Sequence, residues 1–350
     1  MSYLKPAFNH PDAEKNTLGL SRADYEGGLS TLCAGCGHDS ITAAIVEACF
    51  TLPLDPHRVA KMSGIGCSSK TPAYFLSGSH GFNSVHGRMP SVATGANIAN
   101  RDLVYIGVSG DGDTASIGMG QFTHIVRRNV NMVYIVENNG CYGLTKGQDS
   151  ATADLGSSSK KGAINPFQAI DLASIALQLG ATFVARSFSG DRDQLVPLIK
   201  AAICHQGFAF IDILSPCVTF NNHLGSTKSY PHIRENNDMV PVDFVPMREE
   251  IRTQYDEGKT QEVLLHDGSA IRLHKSDDDG HDIRDRQAAL SAIFDHNSKG
   301  RTLTGLLYAE RDTPDLHGTL GTVSKPLSQL KGDELCPGSK VLDSINAGLR

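Results

Sequence analysis

Two near-continuous apolar runs, Leu103-Val104-Tyr105-Ile106-Gly107-Val108 and Met132-Val133-Tyr134-Ile135-Val136, have the pattern of strands buried on both faces. Similar runs predict strands near 59–62, 182–186 and 208–214, with helices near 115–128, 168–179 and 191–203 between them. Strands that alternate with helices require right-handed parallel crossovers. The expected fold is therefore α/β, a three-layer, doubly wound domain on a mostly parallel sheet. Apolar residues at 41, 45, 46 and 49 predict a further helix over 41–50. Residues 1–28 read as a polar N-terminal arm that packs on a partner, and 29–225 as the α/β domain. Past Thr219 the alternation stops except for a helix over 284–295, so 226–350 is expected to pack on the domain and on partner subunits.

Each apolar run ends in a chemically loaded turn. The first leads into Gly110-Asp111-Gly112-Asp113, and the second into Asn138-Asn139. A lone Gly-Asp-Gly is usually a surface turn. Here it sits at the C-terminal edge of a buried strand, where open parallel sheets bind ligands beside helix N-termini that favour phosphate oxygens. Magnesium takes octahedral oxygen donors, commonly one or two carboxylates together with substrate phosphates and water. The Asp111 carboxylate and the Asn139 amide oxygen suit such a shell around a bound diphosphate. The arrangement resembles that of thiamine-diphosphate enzymes, in which Gly-Asp-Gly is followed at this spacing by Asn-Asn. That resemblance adds the backbone carbonyl of Cys141 as a magnesium ligand.

The chain has eight cysteines, and in a chain without secretory features they argue for metal or redox chemistry over disulfides. Cys33-Ala34-Gly35-Cys36 forms a Cys-x2-Cys pair, Cys67 lies in Gly64-Ile65-Gly66-Cys67-Ser68-Ser69-Lys70, and Cys217 follows the 208–214 run in Ser215-Pro216-Cys217. The haem pattern fails because Gly37 separates Cys36 from His38, and a thioredoxin-like pair would open a helix behind a strand. On spacing alone, structural zinc and an iron-sulfur cluster both remain open. Cys49 falls on the apolar face of the 41–50 helix and reads as core, while Cys204 and Cys336 have no thiol near them in sequence.

The two sites together resemble the beta subunit of 2-oxoacid:ferredoxin oxidoreductases over roughly residues 25 to 300. The resemblance is carried by Cys33-Ala34-Gly35-Cys36-Gly37-His38, Gly64-Ile65-Gly66-Cys67-Ser68-Ser69, His86-Gly87-Arg88 with Val92-Ala93-Thr94-Gly95, and the Gly-Asp-Gly and Asn-Asn motifs. Tyr142-Gly143-Leu144-Thr145-Lys146-Gly147-Gln148 and Ser215-Pro216-Cys217 complete it. It implies a thiamine-diphosphate-binding fold, with Cys33, Cys36, Cys67 and Cys217 on a 4Fe-4S cluster. Ile65, Gly66, Ser68, His86, Gly110, Asp111, Gly112, Asp113, Asn139, Cys141, Gly143, Leu144 and Thr145 would surround the coenzyme, with Mg2+ on Asp111, Asn139 and Cys141. The implied reaction is reversible oxidative decarboxylation of a 2-oxo acid with coenzyme A, with electrons passing through the cluster to ferredoxin.

Thiamine-diphosphate enzymes also use a second domain whose glutamate contacts the aminopyrimidine, and nothing here resembles it. The resemblance therefore implies an alpha partner and an (alpha-beta)2 heterotetramer. Lys146 lies seven residues beyond Asn139. A loop lysine is ordinarily just solvated, but the resemblance makes Lys146 a candidate for a substrate carboxylate or a coenzyme A phosphate and favours 2-oxoglutarate over pyruvate. Lys70 could play a similar part. His86 is a candidate for diphosphate contact and catalysis, Arg88 invites a similar reading, and His38 reads as structural support behind Cys36. Asn221, Asn222 and His223 are candidates to brace the Cys217 loop.

A net charge of −6 argues against nucleic acid as a partner. No apolar stretch approaches the ~20 residues needed to span a bilayer, so a cytoplasmic protein is expected. The acidic run Lys275 to Asp282 fails as a calcium loop. With Gly280 as the loop glycine, Lys275 and Arg286 would occupy positions that need carboxylates. The Ser-, Gly- and Lys-rich stretch from Lys146 to Asn165 is expected to cover the cofactor mouth.

Overall fold

The runs flanking the two motifs lie side by side as parallel strands in the computed structural model, with Val108 beside Ile135. The structure describes residues 12–157, 164–215, 217–218, 251–264, 270–276, 281–336 and 338–349. Its strands are β1 (Val59–Ser63), β2 (His80–Asn83), β3 (Val104–Gly110), β4 (Met132–Asn138), β5 (Cys141–Tyr142) and β6 (Gln148–Asp149). They continue with β7 (Phe183–Phe188), β8 (Phe208–Leu214), β9 (Thr260–Leu264), β10 (Ala270–Lys275) and β11 (Thr302–Ala309). Among the described residues, nine form one sheet in the order β2-β1-β3-β4-β8-β7-β11-β10-β9. Pairing is parallel from β2 through β7, antiparallel at β7–β11 and β10–β9, and parallel again at β10–β11.

The unbroken apolar runs follow from the two cores they serve. Met132, Tyr134 and Val136 of β4 face one core, while Val133 and Ile135 face the other; Phe208 and Phe210 of β8 split from Ala209, Ile211 and Ile213 in the same way. Helices α1 (His38–Thr51) and α5 (Arg192–Cys204) cover one face. The opposite face carries α2 (Met89–Ala99), α3 (Met119–Arg127), α4 (Leu172–Gln178) and α6 (Arg286–Ser298). Asp171, Asp191 and Asp285 start α4, α5 and α6 by accepting hydrogen bonds from otherwise unpartnered backbone N–H groups of the first turn. Among the described residues no helix is long and apolar enough to cross a membrane.

Several expectations change. The 115–128 helix is divided into a π-type turn over Gly112–Ile117 and α3, with the break at Gly118. A Cβ there would lie 2.3 Å from the Asp113 carbonyl, and such π insertions are frequent at functional sites. The described part of the N-terminal arm docks on its own chain. Tyr25 is fully buried, stacks edge-on against Phe50 of α1 and donates to the Leu54 carbonyl at 2.8 Å. Alternation also resumes beyond Thr219, because β10, α6 and β11 form a further parallel crossover and β11 joins the main sheet through β7. Thus the C-terminal segment adds strands to the domain's sheet. These strands were missed because β9 is mostly exposed and short. The edge strand β2, exposed at every residue, offers no period to read.

Phe122 is fully buried with its ring 5.2–6.2 Å from those of Tyr134, Phe208 and Phe210. Phe122→Ala should destabilise the chain by about 3–5 kcal/mol in urea denaturation, whereas Phe294→Ala, at a 62% exposed position, should stay within about 0.5 kcal/mol. Lys61 of β1 gives a pH test. Its buried ammonium donates to the Phe75 and Leu76 carbonyls at 2.6 and 3.0 Å, and burial pulls its pKa from 10.5 to about 8. Between those values the unfolded chain holds more protons than the folded one, so stability rises with pH. Relative to Lys61→Met, the wild-type urea midpoint should climb across that interval; a constant difference would contradict the assignment.

Candidate functional site

Loops leaving the C-terminal ends of β1, β3, β4 and β8 meet at one edge of the sheet. A cleft lies there. The loop after β1 contributes Ile65, Gly66, Cys67 and Ser68, and the end of β3 contributes Gly110, Asp111, Gly112 and Asp113. Asn139, Cys141, Tyr142, Gly143, Leu144 and Thr145 come from the segment after β4, and His86 from the turn before α2. The residues expected around the coenzyme thus line one cleft. Lys146 does not line it; this exposed residue sits one position past the rim with φ +81°, a left-handed conformation unusual for lysine.

Asp111 is almost wholly buried, and its carboxylate organises the floor. Oδ1 accepts from the Asn139 N–H at 3.2 Å; Oδ2 accepts from Thr152 at 2.9 Å and from the Ser150 hydroxyl. Burial raises its pKa, and these donors pull in the opposite direction. The Asn139 side-chain oxygen accepts from the Cys141 N–H at 3.1 Å, so Asn139 and Cys141 share one tight turn that the Asn139 N–H ties to Asp111. Asn138 points elsewhere: its amide donates to Asp212, and its oxygen lies 3.0 Å from the Thr152 hydroxyl. Asp212 in turn is paired with buried Arg186, which also binds Asp171 at the start of α4. Ser150, Thr152, Asp212 and Arg186 escaped the sequence reading. Charged residues inside the apolar runs of β7 and β8 were the available signal for the last two.

Asp113 acts as a staple between loops. Its Oδ1 accepts from the Gly87 and Ile65 N–H groups at 2.7 and 3.3 Å and from His86 Nδ1, and its Oδ2 accepts from Ser109 at 2.6 Å. Gly64 permits this approach, since a Cβ would come within 1.9 Å of Asp113 Oδ2. At Gly112 a Cβ would fall 2.4 Å from the Tyr142 ring, whereas at Gly66, with φ +132°, it would meet nothing within 4 Å. The carboxylate, amide oxygen and backbone carbonyl of Asp111, Asn139 and Cys141 are all hard oxygen donors, which suits magnesium. The open cradle at Gly66 leaves room for a phosphate-bearing ligand.

The cysteines gather beside this floor. Burial raises the Cys67 thiol, and the neighbouring Cys217 and Cys33 raise it further while Lys70 opposes them. Cys36 is pushed up to about 12, first by burial, with Cys33 among the added causes. A hydrogen bond with Cys217 is the largest cause that raises Cys141, followed by burial. Cys67 thus feels Cys33 and Cys217, Cys36 feels Cys33, and Cys141, which lines the cleft, is hydrogen-bonded to Cys217. Among the described residues, no three His, Cys, Asp or Glu side chains converge as ligands of a single ion. Cys49 is fully buried in the core, and Cys204 and Cys336 are exposed elsewhere. His38 starts α1 with its ring buried, and burial lowers it to about 4. Arg88 is exposed and pairs with Gln121. Asn221, Asn222 and His223 lie outside the described residues.

Gly112→Ala should displace Tyr142 into the cleft and weaken binding of magnesium thiamine diphosphate about tenfold or more by calorimetry. Combining it with Tyr142→Ala should recover part of the loss; without recovery, the steric account fails.

Residues 64–213 match the family described as thiamine pyrophosphate enzyme, C-terminal TPP binding domain. The chain is 44% identical over 197 residues to the 2-oxoacid:ferredoxin oxidoreductase subunit beta of Sulfolobus sp, a match covering 54% of this chain and 63% of that subunit. It therefore spans just under two thirds of that relative's length. Against the 2-oxoglutarate synthase subunit KorB of Methanocaldococcus jannaschii it is 40% identical, covering 54% of this chain and 69% of the relative. A 2-oxoglutarate:ferredoxin oxidoreductase from Magnetococcus marinus, solved with 2-oxoglutarate, coenzyme A and succinyl-CoA bound, superposes with a TM-score of 0.72 at 30% identity, covering 95% of this chain and 98% of the other. With the thiamine-diphosphate fold and these relatives together, the chain belongs to the beta subunits of the 2-oxoacid:ferredoxin oxidoreductases.

Proposed function

We propose that this chain is the coenzyme- and cluster-bearing subunit of an enzyme that converts 2-oxoglutarate and coenzyme A reversibly to succinyl-CoA and carbon dioxide, with ferredoxin as electron acceptor. The carrying observation is the meeting of an oxygen-lined floor and a group of thiols at one sheet edge, joined at Cys141. Thiamine diphosphate would supply an electron sink for the carbanion left when carbon dioxide departs, and a 4Fe-4S cluster would take up electrons singly.

Asp111, Asn139 and the Cys141 carbonyl would hold Mg2+ and through it the diphosphate. Asp113 orients His86 toward the cleft by accepting from Nδ1, and the nearby Tyr142 ring restricts the imidazole further. Ile65, Leu144 and Ile117 are apolar yet 39%, 51% and 50% exposed. These side chains support an alpha subunit that covers the mouth, excludes water and assembles as an (alpha-beta)2 heterotetramer. The preference for 2-oxoglutarate draws on the Jannaschii and Magnetococcus relatives. Lys146 is the candidate for the distal carboxylate once a partner closes over the rim.

Metal analysis of the anaerobically purified complex should find about four irons per chain, with a reduced-cluster or radical resonance appearing on addition of 2-oxoglutarate. Zinc without iron would favour a non-redox decarboxylase. Asp111→Ala should abolish coenzyme binding while keeping iron, and Cys67→Ala should do the reverse. Lys146→Ala should raise KM for 2-oxoglutarate more than for pyruvate; equal effects would remove it from substrate recognition.

A further inference from the structure

We infer that Glu137 is a positioning residue that bonds the Cys67 loop to the coenzyme-binding end of β4 and buttresses the His38–Ser215 link between the Cys36 and Cys217 loops; the inference rests on the cluster reading above. Glu137 is fully buried, two residues before Asn139, on a strand otherwise almost entirely apolar. Burying a carboxylate there is costly unless its oxygens are bonded, and the donor that meets them belongs to the Cys67 loop. The Thr71 hydroxyl lies 2.9 and 3.1 Å from its two oxygens, and Thr71 sits on the 3-10 turn that follows Cys67. His38 Nδ1 lies 3.6 Å from the same carboxylate and 2.7 Å from the Ser215 hydroxyl. Ser215 donates to the Cys36 carbonyl at 2.8 Å. A hydroxyl has one proton to give, so Ser215 accepts from His38, and the imidazole proton is on Nδ1.

The knot thus reaches Cys36 through its carbonyl, Cys67 through Thr71 and Cys217 through Ser215, two residues upstream. Gly37 lets it close. Its φ is +82°, and a Cβ would lie 2.4 Å from the Ser189 hydroxyl and 3.0 Å from that of Ser215. The thiols belong to loops separated by long stretches of chain, and Glu137 is the buried group that bonds the Cys67 loop through Thr71 and touches, through His38, the hydrogen-bonded link between the other two. Because β4 continues directly into Asn139, the same residue places the thiols relative to the magnesium floor.

The test uses the complex purified anaerobically, comparing wild type with Glu137→Gln, Glu137→Ala, Thr71→Val and Ser215→Ala. Iron and sulfide content, iron loss to a chelator and calorimetric binding of magnesium thiamine diphosphate are measured on each. Glu137→Ala and Thr71→Val should lose iron about tenfold faster than wild type, with coenzyme affinity preserved. Glu137→Gln should restore wild-type retention, because its amide oxygen still accepts from Thr71. Should Glu137→Ala not fold, Thr71→Val and Ser215→Ala decide the matter. Wild-type iron retention in these variants would overturn the positioning role while leaving the cluster reading intact. Wild-type protein without iron would overturn the cluster reading and this inference with it.

Discussion

Two carboxylates buried within one turn at the end of β3 constrain everything around the cleft. Asp111 and Asp113 are 1% and 3% exposed, and buried carboxylates are tolerated only when hydrogen-bonded or ion-paired. Asp113 meets this by drawing in the turns after β1 and before α2. Asp111 meets it by drawing in the Asn139 backbone and the Ser150-Thr152 segment. Part of the cleft wall, at Ile65, His86 with its neighbour Gly87, and Asn139, is therefore held by hydrogen bonds to these two residues, and Gly64 is the glycine that lets Asp113 come close.

A second layer of buried polar groups carries this order outward. Thr152 touches both Asp111 and Asn138, Asn138 donates to Asp212, and Arg186 links Asp212 to the cap of α4. On the other side of β4, Glu137 faces the cysteine loops. Consecutive residues of one strand end thus serve different masters: Glu137 the thiols, Asn138 the helix layer, and Asn139 the floor. The alternation of side chains along a strand turns Asn138 away from the face of Glu137, and Asn139 lies just past the strand end.

How much of this was legible before the fold was known depended on range. The Gly110–Asp113 and Asn138–Asn139 motifs, the flanking apolar runs and the Cys33–Cys36 pair are local signals that marked Asp111 and Asn139, whereas Ile65, Gly66, Ser68, His86, Gly143, Leu144 and Thr145 were nameable only through the family resemblance. Glu137 and His38 could be singled out only weakly, as a charge at the end of a strand and a histidine after a cysteine pair. Ser150 and Thr152 carried no signal, being ordinary loop hydroxyls. Lys146 looked poised for the cleft on spacing, yet a turn with positive φ carries it past the rim.

The sequence by itself determined the fold class, the doubly wound core and the chemistry carried by oxygen and sulfur donors, because hydrophobic period and motif spacing are properties of contiguous residues. Only the tertiary structure decided that β10, α6 and β11 extend the same sheet, that residues 12–28 dock on α1, and that Thr71 and His38 meet at Glu137, with Ser215 behind His38. Those outcomes depend on contacts between residues far apart in the chain, such as His38 with Ser215, 177 positions away. Packing and hydrogen-bond satisfaction over the whole molecule select such contacts, and no local pattern encodes them.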